Sequence, residues 1–386
     1  MVKQVYIASA ARTPVGSFQG ALSSMSAPEL GAHSIRASIE RASVQDSQID
    51  EVIMGNVVSA GLKQAPARQA MRNAGLPDSC GATTVNKVCG SGMKAIMLAT
   101  DLIKADSGNT IIAGGMESMS NAPYLVQKAR SGLRMGHQQM QDALFLDGLE
   151  DAETGGSMGS FAQSTADQFQ LTRKDMDDYA TNSVVRAREA IENKFLEAEI
   201  EPILVGESRI TDDEQPGRAK LEKISSLRPA FKADGTITAA NSSSISDGAS
   251  SLVLTSDEQN LTSEPLARIV GHCTHSIHPS DFTIAPVGAI QKLLTKIDWN
   301  IDDVELFEIN EAFAMVTMLA IQELNLDPAK VNLYGGACAQ GHPIGSTGSR
   351  LVVTLAHAMK RLDKKRGIAA LCIGGGEATA IALERS

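Results

Sequence analysis

Glycine surrounds the residues best suited to chemistry. Cys89 stands in Val88-Cys89-Gly90-Ser91-Gly92, between a run that reads as a strand and one that reads as a helix. A thiol at a helix N-terminus meets free N–H groups and the positive end of the dipole, and both favour the thiolate, the nucleophilic form. The flanking glycines let a substrate come close to the backbone. A buried cysteine closing a core strand is the other local reading. Cys372 lies in the apolar run Ala369 to Ile373, just before Gly374-Gly375-Gly376, and on its own reads as packing. His342 belongs to the stretch Gly335 to Gly345, whose glycines and proline predict neither helix nor core strand. A histidine there could be a general base, an oxyanion donor or a solvated loop residue. Asn310 follows the strand Leu306 to Ile309; its amide could orient a water or a histidine, although an N-cap is the simpler local reading. His272, Cys273, His275 and His278 lack a common zinc spacing, so no metal is expected and the segment reads as a loop walling a pocket.

The elements that must position these groups alternate. The spacing predicts strands at Val2 to Ser9, Val52 to Val58, Thr83 to Val88 and Thr110 to Ala113, with a loop at Arg12-Thr13-Pro14. Helices are predicted at Ala27 to Ala42, Ala65 to Ala74 and Met93 to Lys104. From about Ser118 to Asn241 the texture changes, with turn clusters and one long amphipathic helix from Arg173 to Lys194, which reads as an inserted domain. The α/β alternation returns at Ile245 to Leu254. Gly345-Ser346-Thr347-Gly348 opens a helix as Gly90-Ser91-Gly92 does, and Leu371 to Glu377 echoes Ile111 to Glu117, each a strand, a glycine turn and an acidic residue. Two echoes in one order predict an internal duplication with sites at strand carboxyl ends.

Composition narrows the chemistry. The chain has 386 residues, 43% of them hydrophobic, enough for a large core. Its formal net charge of −10 argues against nucleic acid as the main partner. No apolar run approaches the ~20 residues a membrane span needs, and the N-terminus lacks a long apolar leader core. Five cysteines in so long a chain make no disulfide framework, so a reducing cytoplasm is expected. There is no Gly-x-Gly-x-x-Gly after the first strand and no Gly-Lys-Ser/Thr phosphate loop, which removes most dehydrogenase and kinase readings.

Taken in order, five segments resemble the thiolase family along the whole chain: Val88 to Lys94, Gly114 to Ser120, Asn310 to Ala314, Gly341 to Gly345 and Cys372 to Gly376. The resemblance implies a duplicated five-layered α-β-α-β-α fold. It divides the chain into an N-terminal half at 1–117, completed by about 243–262, a coenzyme A-binding inserted domain at 118–242, and a C-terminal half at 263–386. It implies an acyltransferase of fatty acid metabolism that condenses two acetyl-CoA to acetoacetyl-CoA and CoA, or runs the thiolysis in reverse. The alternative is a thiolase for longer 3-ketoacyl-CoA in β-oxidation, or for branched 2-methylacetoacetyl-CoA. Cys89 would carry the acyl thioester, His342 would take its proton, and Cys372 would exchange the Cα proton. Asn310, through a water, and His342 would form one oxyanion hole; the N–H groups of Cys89 and Gly374 would form the other.

Arg218 resembles the family's basic residue near the nucleotide, and Ser243 the serine on the pantetheine arm. Two departures stand out. Ser157-Met158-Gly159 lacks the histidine that many thiolases carry before Met-Gly, so a polar contact to the coenzyme is lost or replaced. Phe282, in Asp281-Phe282-Thr283, replaces the methionine of many acetoacetyl-CoA thiolases, as in members that take 2-methyl-branched substrates. No cofactor beyond the coenzyme A substrates is implied, and the family forms homodimers or homotetramers. A ketoacyl synthase would lack the Cys372-Ile373-Gly374 motif, and a non-catalytic lipid-binding scaffold would not need all four polar groups together.

Overall fold

The computed structural model describes residues 3–256, 261 and 264–386. Val2, where the first strand was expected to begin, and the positions 257–260 and 262 near the end of the 243–262 segment lie outside the described residues. Along the first half run β1 (Tyr6–Arg12), β2 (Gly16–Ser17), α1 (Ala27–Ala42), β3 (Glu51–Gly55), α2 (Pro66–Asn73), β4 (Gly81–Val85), α3 (Ser91–Lys104) and β5 (Thr110–Ser118). The inserted region holds the hairpin β6 (Tyr124–Leu125) and β7 (Gln141–Asp142), then α4 (Met158–Gln168) and α5 (Arg173–Glu192). A second hairpin, β8 (Ile203–Val205) with β9 (Ser208–Ile210), leads to α6 (Glu214–Arg218). Then come β10 (Ser246–Thr255), β11 (Ala267–Ser276), α7 (Ala285–Ile297), β12 (Leu306–Ile309), α8 (Ala314–Glu323), α9 (Ala337–Gln340), α10 (Thr347–Arg361), β13 (Arg366–Ile373) and β14 (Glu377–Glu384).

The sheet order is β12-β13-β14-β11-β1-β10-β5-β3-β4. It falls into two halves, because β1 meets β11 only at Tyr6↔Arg268 and Ile7↔Ala267. In the first half β4, β3 and β5 are parallel, and β10 and β1 follow antiparallel. The second half repeats this: β12 and β13 are parallel, and β14 and β11 follow antiparallel. A parallel bridge from Phe307 to Val331 takes the place of β4. This is the duplication that the sequence echoes foreshadow.

Helices complete the layers. The apolar stripe of α1, including Leu30, Ile35 and Ile39, packs with α2 on one outer face. On the other outer face α7 presents Ile290 and Leu293 to the second half of the sheet. Between the sheets, α3 and α10 share one core, where Ile96, Leu351, Leu355 and Met359 are fully buried. Each such side chain contributes roughly 1.5–3 kcal/mol as an upper bound. These two helices cross at their glycines: a Cβ on Gly348 would lie 2.5 Å from the Met93 nitrogen. That close approach brings the two glycine loops, with Cys89 and His342, to one end of the sheets.

Three local readings are corrected. Arg12 belongs to β1 rather than to a loop and is buried, with Nε donating to Glu199 at 2.6 Å and Nη1 to Asp213 at 2.7 Å. The expected turn at Gly114-Gly115 is absent: β5 continues to Ser118, and the glycines serve close contacts with backbone instead. The stretch Gly335 to Gly345 contains one helical turn, α9. Among the described residues no helix is long and apolar enough to cross a membrane.

Candidate active site

After β4 ends at Val85, the chain turns sharply to present Cys89. Val88 has φ 47°, a costly conformation for a β-branched residue. Ser91 holds this turn with its hydroxyl, which accepts from Lys87 N at 2.8 Å and donates to Val88 O at 2.7 Å. The half-buried Cys89 sulfur lies beside its own N–H and that of Gly374, whose dipoles favour the thiolate. These are the two amides expected to form an oxyanion hole. Burial nevertheless outweighs them and pushes the thiol up to about 11. The expectation of a thiolate stabilised by the helix N-terminus is therefore corrected, because the desolvation cost of the anion exceeds the help of the dipole.

His342 is buried at the head of the loop that enters α10. Its N–H donates to Ser244 O at 3.0 Å. The Thr347 hydroxyl donates to Pro343 O at 3.0 Å and lies 2.6 Å from His342 Nδ1. With its one hydrogen so used, the hydroxyl accepts from Nδ1–H. Nε2 is left as a bare acceptor with no protein partner. Burial, reinforced by the Arg350 guanidinium, pushes the imidazolium down to about 3, so the ring is neutral at neutral pH.

Asn310 is not an N-cap, since α8 begins only at Ala314 after Phe313. Both its amide atoms are buried without a partner. An amide left so in a close-packed interior awaits a water or a substrate oxygen. Cys372 is fully buried at the end of β13, within electrostatic reach of Cys89, and burial holds its thiol well above the usual range. The next residues bind the two halves together: a Cβ on Gly90 would meet Ile373 Cδ1 at 2.4 Å.

Cys89, His342, Gly374, Met158, Ser243 and Phe282 all line one cavity of about 240 Å³. Cys372 packs just behind its wall, in a cluster with Met158, Phe282 and Phe313. Phe231 and Phe313, which the sequence reading overlooked, complete the apolar side; they meet edge to face at 6.1 Å, and Phe282 meets Phe313 at 6.5 Å. Their signal is tertiary, as Phe231 reaches the site from the loop after the short helices of the inserted region. A Cβ on Gly159 would lie 2.2 Å from that ring. Arg218 stands apart from this cavity, exposed on α6 and paired with Glu214 at 2.8 Å. A larger cleft of about 620 Å³, between the end of α5 and the β8–β9 hairpin, contains neither cysteine nor histidine.

The histidine cluster does not wall the cavity. His272 and Cys273 lie in β11, and His272 Nε2 is 3.0 Å from Asp101. His278 instead caps the short helix that carries Phe282, accepting from Ser280 N at 3.3 Å. Among the described residues no group of three or more His, Cys, Asp or Glu is placed to hold a metal ion.

A duplicated sheet pair that brings a cysteine, a neutral buried histidine and a second cysteine together at its seam is a fold and site suited to acyl transfer. The models of the thiolase N-terminal domain, over residues 5–258, and of the thiolase C-terminal domain, over 263–385, both match. The chain belongs to the thiolase family. It is 45% identical to an acetyl-CoA acetyltransferase of Schizosaccharomyces pombe, over 99% of both chains. It is likewise 45% identical to an acetyl-CoA acetyltransferase of Escherichia coli, over 100% of both. Its structure resembles that of Acat5 thiolase from Ascaris suum in complex with coenzyme A, with a TM-score of 0.95 and 41% identity over 100% of both chains.

Proposed function

We propose that this thiolase catalyses the reversible condensation of two acetyl-CoA to acetoacetyl-CoA and CoA. The observation that carries the reading is the unpartnered Nε2 of His342 in the same cavity as Cys89, whose sulfur already meets the Gly374 N–H. In thiolysis, His342 Nε2 takes the Cys89 proton and the sulfur attacks the ketone carbon of acetoacetyl-CoA. The carbon–carbon bond breaks, and the electron pair leaves as the acetyl-CoA enolate. Cys372, protonated at rest, gives its proton to Cα. The Cys372 thiolate then takes the proton of the CoA thiol, whose sulfur attacks the thioester carbon. The bond from Cys89 to the acetyl group breaks, the Cys89 thiolate recovers its proton from His342, and condensation retraces these steps. The N–H groups of Cys89 and Gly374, and Asn310 with His342, would stabilise developing oxyanions, each donor worth about 10²–10³-fold in rate.

The acetyl-CoA acetyltransferase names of the relatives support the short-chain substrate, as does the small, phenylalanine-lined cavity. Ser243 and Met158 would contact the pantetheine arm and Arg218 the nucleotide end. Phe282 favours a second reading in which 2-methylacetoacetyl-CoA is also cleaved, since a flat ring leaves lateral room near Cα that methionine would fill. A reducing cytoplasm and a homodimer or homotetramer belong to the same proposal. Self-association is supported by the exposed apolar side chains Tyr124, Met135 and Met140 of the β6–β7 segment.

The test is a comparison of kcat/KM for thiolysis of acetoacetyl-CoA, 2-methylacetoacetyl-CoA and a long-chain 3-ketoacyl-CoA. Acetoacetyl-CoA should lead, with the branched substrate within roughly two hundred-fold of it. Preference for the long chain would replace this reading with the β-oxidation one.

A further inference from the structure

Glu117 is a carboxylate for which the proposed reaction has no use, yet it is fully buried at the junction of the two halves. Its Oε1 accepts from Asn56 Nδ2 at 2.8 Å and from Val58 N at 3.3 Å. Its Oε2 accepts from Val57 N at 3.0 Å and from Gly345 N at 2.9 Å. The carboxylate therefore ties two different loops together, Oε2 bridging both. Gly345 ends the His342 loop, in the second half of the chain. Residues 56–58 follow β3 in the first half and are tied to the nucleophile's own segment: Asn56 N donates to Val85 O at 3.0 Å, and Asn86 Nδ2 to Val57 O at 3.4 Å. Val57, Val58 and Ile344 then pack together in a cluster that Cys89 and Val88 join from its edge.

The second half carries a looser, partly exposed counterpart. Glu377, which occupies the matching place after the glycines that follow β13, reaches back to Lys87 Nζ at 2.5 Å, two residues before Cys89. Each half thus sends a carboxylate to the glycine loop of the other.

We infer that Glu117 is a positioning residue that sets the separation between His342 and Cys89 by clamping their loops to one carboxylate. The role rests on the acyl-transfer reading above. The geometry also explains why neutral replacements will not serve. Four donors converge on the carboxylate, two on each oxygen, and an amide in its place would turn an N–H₂ toward two of those N–H groups. A base displaced by about 1 Å can cost up to ~10²-fold in rate.

The test is rapid-quench acylation of the full-length enzyme by acetyl-CoA, read as acetylated Cys89 peptide, in wild type and Glu117→Gln. Acylation and kcat should fall roughly 10- to 100-fold in the variant, with KM for acetyl-CoA unchanged, because the cavity walls are untouched. A variant that loses thermal stability but acylates at the wild-type rate would overturn the role and leave Glu117 a structural residue only. If Glu117→Gln does not accumulate as folded protein, Glu117→Asp carries the test. It keeps the charge, but one methylene fewer cannot span both loops, so the same loss at constant KM is expected and a wild-type rate overturns the role. Absence of any Cys89 thioester in the wild type would overturn the acyl-transfer reading itself and this role with it. A thioester in the wild type, with an unaffected variant, overturns the role of Glu117 alone.

Discussion

A thiol pushed up to about 11 beside an imidazole pushed down to about 3 forms a pair without charge at neutral pH. Both shifts come from burial, which penalises the thiolate and the imidazolium alike. The resting site therefore holds a thiol and a neutral imidazole rather than an ion pair. The sign follows: an acid held above its ordinary value of about 8.5 stays protonated until pH rises toward the shifted value. Thiolate absorbance of the free enzyme attributable to Cys89, as the difference from Cys89→Ala, should be absent at pH 7 and appear only above about pH 9. A full thiolate signal at pH 7 would contradict the assignment. Cys89 and His342 were legible in the sequence as candidates through their glycine-rich surroundings, and Cys372 and Asn310, which read locally as packing and as an N-cap, only through the family resemblance. The protonation of Cys89 was not. It depends on how much water the folded seam excludes, and no local window of sequence reports that. For the same reason the local preference for Asn310 as an N-cap failed: the helix starts four residues later.

At the scale of elements, glycines decide where things meet. Gly115 lies in the middle of β5, where a Cβ would come within 2.0 Å of the Gly345 carbonyl oxygen. Backbone on both sides leaves no room to yield, so Gly115→Ala should destabilise by about 3 kcal/mol. A chemical-denaturation midpoint equal to that of wild type would refute the crossing. Gly159 differs in kind, because its neighbour is the far edge of the partly exposed Phe231 ring. There the ring can swing, so Gly159→Ala should change stability by less than about 1 kcal/mol. The displaced ring should enter the cavity and raise KM for the branched substrate more than for the unbranched one. Equal KM values for both would detach Phe231 from the site. The sequence showed these glycines but read Gly114-Gly115 as a turn. Turn and close approach call for the same residue, and only the partner strand β10 and the loop at Gly345 distinguish them.

For the whole molecule, duplication explains both the fold and the site. Two copies of one βα unit place α3 and α10 back to back, and each helix begins at a glycine loop, so Cys89 and His342 arise at equivalent places in the two copies. That symmetry was readable from two short echoes, Ile111 to Glu117 with Leu371 to Glu377 and Gly90 to Gly92 with Gly345 to Gly348. The meeting of the halves through only two residue pairs of β1 and β11 was not readable, because long-range pairing leaves no local trace. Beyond the chain itself, the exposed Met135 and Met140 predict self-association. Replacing both by aspartate should lower the sedimentation mass of the assembly, and an unchanged mass would remove this segment from the interface.

The central claim is that Cys89 becomes the acyl carrier. It is tested most directly by incubating the enzyme with acetyl-CoA alone and mapping the acetyl group by peptide mass, an addition of about 42 Da. The account predicts the adduct on the Cys89 peptide, retained in Cys372→Ala and lost in Cys89→Ala. An adduct on Cys80 or Cys338, or none at all, would contradict it.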